Sequence, residues 1–179
     1  MTVSLIDVST YLPGEPVPAE HYAQYAESDE LRDNLMFRAP RYRHHVAEDE
    51  PAVDMVERAA AGLLDRHGPD ALADGDVLIT HTQMPDMPFY GGGGAMAHRL
   101  GMKPSWVIDL HNGGCAAFVL GLKMAANLLE SGQGRTALIA VAQNAAGQIF
   151  DQHTIRTRAQ SAVPGDGAAV GLVTLSDES

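Results

Sequence analysis

Short apolar runs alternate along this chain with longer stretches whose apolar residues recur at helical spacing. Val3 to Val8 is an apolar run that stops at Tyr11-Leu12-Pro13-Gly14, which predicts a strand and a turn. Ala19 to about Leu35 is polar with scattered apolar positions and reads as helical. Between Pro51 and His67, Val53, Val56, Ala60, Leu63 and Leu64 share one face, so an amphipathic helix is expected. Asp76 to His81 reads as a buried strand, and a helix follows from about Ala95 to Leu100. Ser105 to Leu110 is a further apolar run, also expected as a buried strand, and helical periodicity then continues to Leu129. Thr136 to Val141 and Ala168 to Leu175 complete the set of strands. This alternation predicts one layered α/β domain over residues 1–179, built on a mostly parallel central sheet.

Composition narrows the partners more than the fold. The 179 residues are 45% hydrophobic and 20% charged, ordinary for a globular domain with a substantial core. A net charge of −11 argues against nucleic acid, whose phosphates need clustered Lys and Arg, and against an anionic membrane surface. No apolar stretch reaches the length of a membrane span, and the N-terminus lacks the pattern of a signal peptide. A single cysteine excludes an internal disulfide framework, and a cytoplasmic protein is the expectation. The eight histidines show no spacing that would assemble a metal site, so none is expected. Gly91 to Gly94 is not followed by the Lys-Ser or Lys-Thr of a phosphate loop.

That single cysteine is the chemical focus. Cys115 follows Asn112-Gly113-Gly114 at the junction between the strand ending near Leu110 and the helix reaching Leu129. Glycines there let the backbone turn without side-chain clash, and the unpaired amides of a helix start favour a thiolate. The pattern predicts a nucleophile. His81 and His111 fall at strand ends, where open α/β sheets bind ligands, and are the titratable candidates near it. His44-His45 reads as a solvated edge, and Asp166 as a turn residue between glycines.

Four pieces, in order, resemble the ketoacyl-acyl-carrier-protein synthase III branch of the thiolase superfamily. They are the strand ending in Tyr11-Leu12-Pro13, Phe89 ahead of the helix ending at Leu100-Gly101, the Asp109-to-Cys115 elbow with Phe118 behind it, and Gly165-Asp166-Gly167-Ala168-Ala169. The resemblance implies a thiolase-like half: a layered α/β unit with a five-stranded, mostly parallel mixed sheet flanked by helices. It covers the first of the family's two pseudo-symmetric halves. The family's catalytic His and Asn lie in the second half, which this sequence does not contain.

The resemblance also implies a function. An acyl group would pass from a thioester to Cys115 and then to an acceptor, in an acyltransferase or condensing enzyme. Phe89, with Met87, His81, His111 and Phe118, would line the substrate pocket. No cofactor is implied; the thioester of phosphopantetheine or coenzyme A is substrate. Two departures favour a carrier-protein thioester: Leu31 follows Ser28-Asp29-Glu30 where the family has Trp, and Phe37-Arg38-Ala39-Pro40-Arg41 replaces its Arg-Thr-Gly-Ile. Arg38, Arg41 and Arg43 form the one cationic cluster and would receive an acidic acyl carrier protein or a phosphopantetheine phosphate. Expected partners are a complementary chain carrying the second half, a second copy of this chain, or both. The alternative from another class is a non-catalytic scaffold that stabilises a partner synthase or docks a carrier protein.

Overall fold

In the computed structural model, which describes residues 2–87 and 89–176, the apolar runs build a five-stranded sheet in the order β1-β7-β6-β4-β5. The strands are β1 (Thr2–Tyr11), β4 (Val77–Thr82), β5 (Trp106–Asp109), β6 (Thr136–Gln143) and β7 (Gly167–Ser176). β4 pairs in parallel with both β5 and β6, whereas β1 pairs antiparallel with β7, so the sheet is mixed. The sequence reads as one half-domain; contacts within the chain divide it into two compact units. The first comprises residues 1–11, 51–142 and 168–179, and the second residues 12–50 and 143–167. Among the described residues no helix is long and apolar enough to cross a membrane.

Two long helices cover the sheet of the first unit. Helix α4 (Ala52–His67) buries Ala52, Met55, Val56, Ala59, Ala60 and Leu63, the three- and four-residue spacing of one face. Its first amides, Ala52 N–H and Val53 N–H, donate to the carboxylate of Asp86 at 2.6 and 3.0 Å. Arg66 and His67 lie in its last turn and both reach the Asp7 carboxylate on β1, holding its pKa down at about 2. Gly62 is the contact point with that strand: a Cβ there would lie 2.3 Å from Ser9 Oγ. Helix α6 (Ala117–Glu130) buries Ala117, Gly121, Ala125 and Leu129, again one face. Ala125 and Leu129 join Val77, Ile79, Ala137, Ile139 and Val173 in the sheet's core.

One apolar run behaves differently from its sequence. The Ser105-to-Leu110 stretch was expected to be a buried strand, yet β5 is the sheet edge, with Trp106 and Val107 exposed. An unbroken apolar run cannot report whether one or two neighbours flank a strand.

In the second unit, the Ala19-to-Leu35 segment forms short helices rather than one. They are α1 (Ala19–Ala23), α2 (Asp29–Arg32) and α3 (Leu35–Arg38), separated because Ser28 and Asn34 each cap a new helix through the side chain. A two-stranded ribbon joins β2 (Val17–Pro18) to β3 (Tyr42–Arg43), and α7 (Ala146–Phe150) brings Phe150 against Tyr22 and Phe37. His45, expected at a solvated edge, is half-buried and joined to the Tyr22 hydroxyl at 2.6 Å. Asp166 is buried and accepts from three amides: Ala146 at 2.8 Å, Val46 at 3.0 Å and Gly147 at 3.3 Å. It is an anchor between distant segments as well as a turn residue.

The Tyr22–His45 pair gives this unit a pH signature. Burial pushes the Tyr22 phenol up to about 12 and pulls the His45 imidazole below its usual value near 6.5. Asp166 and Asp151 oppose the shift of His45, while His21 and Arg43 reinforce it. A base depressed by folding adds stability above its unfolded pKa, and that stability is lost as pH falls through the folded value. Thermal melts between pH 7.5 and 5 should therefore fall more steeply for the native chain than for His45→Asn. The difference in slope should stay below the ~1.4 kcal/mol per pH unit of one fully differential proton, because solvent partly screens this ring.

Candidate active site

The parallel strands β4 and β5 end side by side, and their ends position the site. Leu110 N–H donates to the Thr80 carbonyl at 2.7 Å, extending the ladder one residue past β5. Asp109 turns its carboxylate back into the fold, where it accepts from the Thr80 hydroxyl and from Gly93 N–H, the latter at 2.9 Å. Gly91, just before α5 (Gly93–Arg99), is explained by this carboxylate: a Cβ there would lie 2.1 Å from its carbon and 2.2 Å from one of its oxygens. The chain then reverses through Asn112 and Gly114, both at positive φ (65° and 51°), conformations that Asn and Gly adopt most readily.

Cys115 sits in a short 3-10 turn, Gly114–Ala116, immediately before α6, and is exposed. Its amide N–H has no acceptor among the described residues. Beside it opens a cavity of about 180 Å³, lined by His81, Thr82, Gln83 and Pro85 after β4 and by His111, Asn112 and Gly114 after β5. His81 is almost fully buried, with Nδ1 2.8 Å from the Leu110 carbonyl oxygen, whereas His111 is exposed at the rim. Thr82 and Gln83 carried no sequence signal, and Asn112 was legible only as part of the turn. Only the pairing of β4 with β5 brings their loops together. Among the described residues, no three His, Cys, Asp or Glu side chains converge as a metal site would need.

Other expected site residues are dispersed. Phe118 is half-buried, packs against the core of the sheet with its ring toward Gly171, and does not line the cavity. It lies three residues beyond Cys115, and the helical turn swings it to the inner face. Phe89 is wholly exposed at positive φ, and Met87 is exposed near it; neither lines the cavity. The cationic cluster also divides. Arg38 and Arg41 are exposed, but Arg43 is buried, only 2% exposed, and donates to the carbonyls of Met36, Ala39 and Pro40, each at 2.8 Å. Its guanidinium also lies 4.4 Å from the Tyr22 ring centroid, and burial lowers its pKa. Arg43 is thus a structural residue, unavailable to a carrier.

Residues 108–179 match the model of the 3-oxoacyl-[acyl-carrier-protein] synthase III family. A β-ketoacyl-[acyl-carrier-protein] synthase III from Ehrlichia canis is 30% identical over 97% of this chain and 52% of its own length. The synthase III structure from Thermus thermophilus superposes with a TM-score of 0.79 at 27% identity, over 96% of this chain and 51% of that one. A 3-oxoacyl-(acyl-carrier-protein) synthase from Burkholderia xenovorans shares the fold at TM-score 0.84 and 19% identity, over 99% of this chain and 50% of that one. The chain spans about half the length of the curated relatives it matches. In sequence and fold the chain is similar to about half of a ketoacyl-acyl-carrier-protein synthase III, an α/β unit of the thiolase-like fold.

Proposed function

We propose that this chain supplies the acyl-accepting half of a synthase III-like acyltransferase or condensing enzyme, with Cys115 as its nucleophile. The observation that carries the reading is an exposed thiol on the strand–helix turn, next in the chain to Gly114, which lines a polar cleft. The sulfur attacks a thioester carbonyl, a new carbon–sulfur bond forms, and the carrier thiol leaves. Charge developing on the carbonyl oxygen needs a fixed donor, and the free amide of Cys115 is suited to that role. The relatives' names specify an acyl carrier protein, and the same class of thioester is the proposed donor here. Arg38 and Arg41 remain as the exposed cations of a landing site.

A partner completes the catalyst. Trp106 and Val107 on the open edge strand are 44% and 42% exposed, and Val119 and Leu120 on α6 are 66% and 45% exposed. Exposed apolar side chains on an edge strand favour association with another surface. The proposed partners are a chain with the complementary half and a second copy of this one. Reconstitution tests the reading: this chain mixed with a complementary half should release free thiol from an acyl-carrier thioester faster than either alone. Equal release by the complementary half alone would favour the scaffold role.

A further inference from the structure

The cleft beside Cys115 contains a base of this chain's own. Nδ1 of His81 faces the Leu110 carbonyl oxygen at 2.8 Å. A carbonyl oxygen only accepts, so Nδ1 carries the hydrogen, and in the neutral ring the lone pair stays on Nε2. Nε2 has no hydrogen-bond partner among the described residues, yet it is not a sealed atom: the one buried, unpaired side-chain nitrogen among them is Arg43 Nε. The residue as a whole is only 7% exposed and lines the cavity. Its backbone hydrogen bond fixes the ring, and the little surface it keeps borders the cleft.

The walls indicate what would enter. Five of the seven lining residues carry hydrogen-bonding side chains: His81, Thr82, Gln83, His111 and Asn112. An alkyl chain placed there would leave those groups unpaired, at a cost that a hydroxyl-bearing molecule avoids. We infer that His81 is the proton acceptor for a hydroxyl-bearing acyl acceptor, which occupies this cleft and takes the acyl group from Cys115. This rests on the acyl-enzyme reading above. The acceptor oxygen attacks the thioester carbonyl and its proton passes to Nε2. The carbon–oxygen bond forms, the carbon–sulfur bond breaks, and the Cys115 thiolate recovers the proton from Nε2. An ester and a free thiol result.

The test separates this step from acylation. Cys115 is loaded from acetyl-pantetheine, and loss of the adduct is followed by intact mass with either glycerol or hydroxylamine added. Hydroxylamine attacks through its own lone pair and needs no base, so native protein and His81→Asn should clear the adduct at similar rates. Clearance by glycerol should fall about 10²- to 10⁴-fold in His81→Asn, the range for loss of a general base. His81→Gln, which keeps an amide donor for Leu110, should behave likewise. Equal clearance by glycerol in native and variant proteins would overturn the role of His81. So would clearance by hydroxylamine alone in the native chain. Failure of the native protein to form the adduct, both alone and with a complementary half, would instead refute the acyl-enzyme reading and this inference with it.

Discussion

Cys115→Ser is expected to lower acyl transfer by roughly 10³- to 10⁶-fold, the scale seen when a covalent nucleophile is removed. Serine keeps the shape of the side chain, but its hydroxyl is a far weaker nucleophile than a thiolate. The side chain is exposed, so the melting temperature should change little, within the ~0.5 kcal/mol typical of surface replacements. Thiol release from an acyl-carrier thioester, measured beside a thermal melt, separates the two effects. Activity near native would remove Cys115 from the chemistry. Lost activity with a large fall in melting temperature would point to a structural role instead.

The second large effect is on stability. Asp166→Ala leaves the amides of Val46, Ala146 and Gly147 without their acceptor, two of them in bonds that are themselves buried. A buried amide left unsatisfied costs about 1–3 kcal/mol, so a loss of roughly 3 kcal/mol or more is expected. For a chain of this size that is a fall of about 6–12 °C in melting temperature. Asp166→Asn keeps one acceptor oxygen and should fall about half as far. A change under 2 °C in Asp166→Ala would mean that water replaces the carboxylate without loss. That result would remove its anchoring role.

Where the sequence could be read, local periodicity was the reason. The α4 helix was legible from Val53, Val56, Ala60, Leu63 and Leu64 within bounds close to the observed Ala52–His67. Its buried face nevertheless takes Met55 and Ala59 with Val56, Ala60 and Leu63, and leaves Val53 and Leu64 half-buried. The strands β4 and β6 were legible as apolar runs because both are flanked on each side within the sheet. The elbow was legible because Asn112-Gly113-Gly114 permits the positive φ values found at Asn112 and Gly114. Long-range pairings were not legible. Asp86 caps a helix whose start lies 34 positions earlier in the chain, and Asp109 reaches Thr80 across 29 positions. Arg43 looked like surface charge because nothing nearby announces that three carbonyls and an aromatic ring would enclose its guanidinium. Phe118 sits close to Cys115 in sequence, yet helical geometry turns it toward the core of the sheet. The polar cleft exists only because two loops, after β4 and β5, meet at adjacent strand ends.

The most direct test of the central claim is a mass map of the acyl group. The chain is incubated with an acyl-carrier thioester, alone and with a complementary half, then digested and sequenced by mass spectrometry. The account predicts one acyl adduct, on the peptide containing Cys115, removed by hydroxylamine and absent from Cys115→Ser. An adduct on any other residue, or an unmodified Cys115 peptide when the reconstituted pair turns over, would contradict it.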